Sequence, residues 1–95
     1  MAMRCEMQEG GRESAFKALS DPTRREILHI LRDGAKTAGE IASHFDMTGA
    51  TISHHLSVLK AAGLVTDDRR GKWIYYEMNL SVLDEIAGWL AGLKG

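Results

Sequence analysis

Residues 37–60 read TAGEIASHFDMTGATISHHLSVLK, and this stretch contains two helix starts. Thr37 and Glu40 have the spacing of a capping box: a hydroxyl accepts the N–H three residues on, and the carboxylate reaches back. A short helix follows through Ile41 to about Phe45. Asp46 and Met47 leave room only for a turn. Thr48 then caps a longer helix that runs to Ala62, where Gly63 stops it. Projected at about 100° per residue, Ile52, Leu56, Leu59 and Ala62 fall on one side of this helix, with Val58 at an edge. Gly49, Ser53, Ser57 and Lys60 fall on the other, flanked by Ala50 and His54. The outer face is therefore small and polar, with one cation in its last turn.

Two capped helices joined by so short a turn form a helix-turn-helix pattern. Small side chains let the second helix sink close to base edges in the major groove. Hydroxyls and an imidazole can bond there, and the free N–H groups of its first turn favour a backbone phosphate. The expected DNA-facing residues of this unit are Thr37, Thr48, Gly49, Ala50, Thr51, Ser53, His54, Ser57 and Lys60. Taken alone, the helix reads equally as a well-capped surface helix or as a groove-reading one. The next segment of the chain decides between the two.

After Gly63 the periodicity changes. The runs 64–68 and 73–78 flank Arg69-Arg70-Gly71-Lys72, and the second alternates Trp73, Tyr75, Glu77 against Ile74, Tyr76, Met78. This predicts a β-hairpin with a basic, glycine-containing tip. Arg69, Arg70 and Lys72 can reach phosphates or an adjacent minor groove. Upstream, Phe16 and Leu19 share one side of a short helix over 12–20. Asp21 and Pro22 then open another helix, where a cap and an N-terminal proline belong. In it Ile27, Ile30 and Leu31 face inward and Arg25, His29 and Arg32 outward, and Gly34 ends it. A last helix is expected from a Ser81 cap to about Leu93. The fold class is mainly α with a β-hairpin wing: helix, helix, helix, helix, hairpin, helix.

The 95 residues suit one domain, expected over 12–93 behind a flexible tail over 1–11. No apolar run reaches the roughly 20 residues of a membrane span, and the polar start has no secretory core, so a cytoplasmic location without membrane insertion is expected. A net charge of −1 argues at first against nucleic acid. It is unevenly spread: residues 17–72 carry nine basic and seven acidic side chains, and the acidic excess lies at the ends. No catalytic constellation is present. His54 and His55 have serines nearby but no nucleophile elbow or orienting carboxylate. Gly10-Gly11 lacks the Gly-Lys-Ser/Thr of a phosphate loop.

Four segments, SDPTRR at 20–25, ISHHLSVL at 52–59, AGLV at 62–65 and RGKWIYY at 70–76, resemble the ArsR family of bacterial repressors in sequence and in order. Within that family the chain is most similar to the SdpR-type autorepressor branch, which shares SDPTRR at 20–25 and ISHHL at 52–56. The resemblance covers about residues 12–93. It implies a winged helix-turn-helix repressor that binds double-stranded operator DNA as a homodimer, with the first and last helices at the dimer interface. It also allows a protein partner that relieves repression. Carried over residue by residue, the family's DNA contacts fall on Gly49, Ala50, Ser53 and His54, and its wing cations on Arg69, Arg70 and Lys72. Gly49 and Ala50 depart from the polar residues often found there, so close backbone approach or thymine-methyl contact is expected.

The family's metal-binding places are not filled in this sequence. Residues 39–44 contain no cysteine pair and the last helix no histidine, so neither a regulatory metal nor a cofactor is expected. His55 falls on the apolar side of its helix and is expected to be packed and hydrogen-bonded. His29 and His44 belong to solvated faces, and the lone Cys5 to the tail. The last helix is too apolar for one-sided burial. Leu83, Ile86, Trp89, Leu90 and Leu93, with Phe16 and Leu19, are therefore expected at a subunit interface. Two other readings compete: a metal- or redox-responsive sensor repressor of the same family, and a winged helix used only for protein contact.

Overall fold

The computed structural model describes residues 9–95. The helices are α1 (Glu9–Leu19), α2 (Pro22–Ile30), α3 (Ala38–Ala42), α4 (Gly49–Ala61) and α5 (Leu80–Leu93). Strands β1 (Lys36–Thr37), β2 (Val65–Arg70) and β3 (Trp73–Met78) form one antiparallel sheet in the order β1-β3-β2. The first helix starts at Glu9, so the expected tail over 1–11 is already helical at its end. Cys5 and the rest of that segment lie outside the described residues.

Local chemistry sets most element boundaries. Asp21 caps α2, its carboxylate accepting from the backbone N–H of Thr23 at 2.7 Å and of Arg24 at 3.1 Å. The Thr37–Glu40 capping box is complete, with Glu40 N–H on Thr37 Oγ1 at 3.1 Å and Thr37 N–H on Glu40 Oε1 at 2.8 Å. At the end of α4, Gly63 N–H donates to Lys60 O and Leu64 N–H to Leu59 O, both at 3.0 Å. With Gly63 at φ +80° this is a Schellman motif, and buried Leu59 and Leu64 make its apolar contact.

Three further element boundaries change. The α3 helix stops at Ala42 rather than Phe45, where Ser43 Oγ turns back onto Glu40 O at 2.7 Å. The hairpin turn is only Gly71-Lys72, because Arg69 and Arg70 pair with Ile74 and Trp73 inside the ladder. Positive φ at Gly71 alone matches a type II′ turn, whose first central residue glycine fills without strain. Lastly, α5 begins at Leu80, not after a Ser81 cap. Asn79 holds the cap position with no side-chain bond, its N–H tied to Leu64 O at 2.9 Å.

The core joins all five helices to the sheet. Ile27, Ile41, Ile52, Leu56, Leu59, Leu64 and Val65 are fully enclosed, and Ile86 of α5 is 4% exposed. Ile86, expected at a subunit interface, is therefore part of the chain's own interior. The apolar stripe of α5 divides along its length. Val82, Leu83 and Ile86 cover the core, whereas Trp89, Leu90 and Leu93 continue past it and are 39%, 49% and 67% exposed. The radius of gyration, 14.3 Å, exceeds the roughly 13 Å usual for a 100-residue domain, in keeping with such a projecting end.

Candidate nucleic-acid interface

The small polar face of α4 is exposed along its length, and hydrogen bonding divides its residues into two groups. Thr48 Oγ1 accepts Thr51 N–H at 3.2 Å and shares a bond with Thr51 Oγ1 at 2.9 Å. Ser57 Oγ donates to His54 O at 2.8 Å, and the Thr37 hydroxyl belongs to its capping box. These four hydroxyls serve helix geometry first. Ser53 Oγ and the His54 ring make no hydrogen bond among the described residues and point outward from the exposed side. Gly49 and Ala50 leave the start of the helix bare of side-chain bulk.

His55 is turned the other way. It is half-buried, and its Nδ1 lies 3.2 Å from Arg24 Nη1. Arginine has no acceptor, so in this bond Nδ1 accepts and Nε2 carries the hydrogen. Arg24 also donates to Ala18 O at 2.8 Å and Lys17 O at 3.3 Å, while Arg25 donates to Leu19 O at 2.7 Å. The two arginines of the SDPTRR segment thus satisfy carbonyls at the end of α1, and Arg24 links that end to α4. Desolvation acts to raise the Asp21 carboxyl. The two backbone N–H bonds and the nearby Arg24 guanidinium outweigh it and hold Asp21 below its ordinary value.

Strand register sorts the wing. Opposed residues share a face, and faces alternate along each strand. Val65, Asp67, Arg69, Ile74, Tyr76 and Met78 therefore look toward the helices, with Val65 buried and Tyr76 and Met78 packed on the core. Thr66, Asp68, Arg70, Trp73, Tyr75 and Glu77 look away. The two adjacent arginines thus lie on opposite faces. Arg70 is held on the outer one by Asp68 at 3.1 Å and Glu77 at 3.7 Å, over the Tyr75 ring at 4.8 Å. Arg69 has no ion-pair partner among the described residues and stands on the side of α4. Lys72, in the turn, lies 5.5 Å from the Trp73 ring.

Nothing in the sequence pattern singles out Asp67. Its Oδ2 lies 2.8 Å from Lys60 Nζ, joining the last turn of α4 to β2. The hydrogen bond and charge of Asp67 raise the Lys60 amine above its ordinary value. No local signal marks this pair, because a glycine turn separates the partners.

The Phe16 and Trp89 rings meet at 5.5 Å between centroids. Leu19 and Leu83 are half-buried beside the core. Among the described residues no three histidine, cysteine, aspartate or glutamate side chains converge on a common point. No described helix is long and apolar enough to cross a membrane.

The family model "Bacterial regulatory protein, arsR family" matches residues 21–67. The transcriptional repressor SdpR of Bacillus subtilis is 49% identical over 77 residues, covering 81% of this chain and 86% of that one. The regulator CmtR of Mycobacterium bovis is 38% identical, with 90% and 73% covered. An ArsR-like transcriptional regulator from Rhodococcus superposes with a TM-score of 0.81 at 33% identity, over 90% of this chain and 80% of its own. A homodimeric winged helix-turn-helix DNA-binding domain from Mycobacterium bovis superposes with a TM-score of 0.75 at 28% identity, covering 99% and 91%.

Proposed function

This chain belongs to the arsR family of bacterial regulatory proteins and is a regulator rather than an enzyme, and from that membership we propose that it represses transcription as a symmetric homodimer on a palindromic operator. The observation that carries the reading is the shared outlook of Ser53, His54 and Arg69. Two polar side chains without hydrogen-bond partners among the described residues, on a helix with a bare start, stand on the same side as an unpaired wing cation. A helix of this kind reads base edges while the cation grips the strand outside. Gly49 and Ala50 allow close approach, and Lys72 extends the grip from the turn.

The exposed end of α5 supports the dimer. Trp89, Leu90 and Leu93, backed by Phe16, form an apolar surface that a second copy would cover, with Leu19 and Leu83 at its edge. Homodimerisation of the Mycobacterium bovis relative supports the same arrangement. Two-fold symmetry then places successive recognition helices about 34–36 Å apart, or a multiple of that, on a palindrome.

The repressor works without a metal ion, and its own promoter is among its targets. The lack of a cysteine pair in α3 and of histidine in α5 supports the first point. Likeness to a branch of autorepressors supports the second. Gel shifts on DNA upstream of the protein's own gene, with added zinc and with chelator, test both. Equal, saturable retardation in the two conditions is expected. A shift that depends on zinc would make the protein a metal sensor, and no shift on that DNA would remove autoregulation.

A further inference from the structure

We infer that Asp67 is a built-in counter-charge that keeps Lys60 off DNA phosphates and so limits binding to duplexes of arbitrary sequence; this rests on the DNA-binding reading above. Lys60 lies on the same face of α4 as Ser53 and Ser57, where a cation would meet the backbone of any duplex docked there. Its Nζ is instead 2.8 Å from Asp67 Oδ2. Asp67 is on the helix-facing side of β2, two residues before Arg69, and so borders the same surface.

The Lys60 and Asp67 side chains are 53% and 30% exposed, and ion pairs as open as this contribute little to folding stability. Their effect falls on the surface field. A phosphate that takes Lys60 must displace a carboxylate and then sit beside it, so the lysine gained is offset by the repulsion incurred. The outer face repeats the pattern, with Arg70 held by Asp68 and Glu77. Of the cations on α4 and the wing, Arg69 and Lys72 remain for phosphates. Binding without sequence preference is almost wholly electrostatic, so few available cations mean weak adherence to random DNA. Preference is then left to Ser53 and His54 at base edges.

The test measures affinity for a duplex of random sequence against salt concentration, by anisotropy of labelled DNA. It uses the unaltered chain and three variants: Lys60→Ala, Asp67→Asn and the double substitution. Wild type and Lys60→Ala should have the same slope of log affinity on log salt. Asp67→Asn, which keeps shape and removes charge, should steepen it by about 0.9 per subunit, the value of one phosphate neutralised. Its affinity at low salt should rise about threefold or more, and the double substitution should restore the wild-type slope. A shallower slope for Lys60→Ala alone would show Lys60 on phosphate despite Asp67 and overturn the inference. So would an unchanged slope for Asp67→Asn. Either result leaves operator binding by Ser53, His54 and Arg69 intact, whereas a chain that binds no duplex at any salt removes both readings.

Discussion

Arg69 and Arg70 are adjacent in the chain, yet the pleat of β2 sends them to opposite faces of the wing, and their roles should separate accordingly. Arg69→Ala should weaken binding to every duplex and make the salt slope shallower by about 0.9 per subunit. Arg70→Ala should leave the slope unchanged and loosen the wing, seen as faster amide exchange in β2 and β3. Salt titrations of the two variants side by side check this. At Asp21 the structure predicts a pH dependence. Its carboxyl is held below the ordinary value, so its stabilisation is complete above about pH 4 and is lost as pH falls through the lower folded value. Asp21→Asn, which retains a capping oxygen, should show a flatter loss of stability in acid, measured by urea unfolding between pH 5 and 2. Equal acid sensitivity would exclude this role. The caps at Asp21, Thr37 and Thr48 were legible in the sequence because each joins residues two or three apart. The Lys60–Asp67 and Arg24–His55 contacts were not, because they join residues that only the folded chain brings together. The polarity of His55 within an apolar face did reveal that it would be packed and bonded, though not to what.

The elements obey their local signals with physically intelligible exceptions. Strand β1 was not anticipated, since two residues are too few to display alternation, and Lys36 and Thr37 become a strand only by pairing with Tyr76 and Tyr75. The hairpin is legible in the sequence, but its turn is shorter than the run of charge implies. Charge suggested a four-residue tip, whereas pairing runs to Arg70 and leaves Gly71 and Lys72. The end of α4 offers the sharpest test of an element boundary. Gly63 has φ +80°, and an added Cβ would meet nothing nearer than Val82 Cγ2 at 3.8 Å, an ordinary contact. The cost of Gly63→Ala is therefore conformational, about 1–2 kcal/mol, and should appear in denaturant unfolding as a lower midpoint with an unchanged slope. No loss of stability would mean that α4 does not end in a left-handed residue.

At the scale of the whole molecule, the α5 stripe seals the core with its first turns and carries Trp89, Leu90 and Leu93 beyond it. Periodicity reveals the stripe and its excess, but not where along the helix the chain's own core runs out, and so it points Ile86 to an interface although the residue lies inside. Leu93→Glu should leave the subunit folded, because this residue is 67% exposed, and should convert a dimer to monomer in sedimentation velocity at micromolar concentration. A dimer that survives a charge at both Leu90 and Leu93 would place the interface elsewhere. Dimerisation and groove reading meet in one measurement, a hydroxyl-radical footprint of the purified protein on DNA upstream of its own gene. A symmetric groove-reading dimer predicts two protected patches related by a two-fold axis, spaced about 10–10.5 base pairs or a multiple apart, and fading when Ser53 and His54 are both replaced by alanine. Protection that is absent, confined to a single patch, or indifferent to those two residues would contradict it.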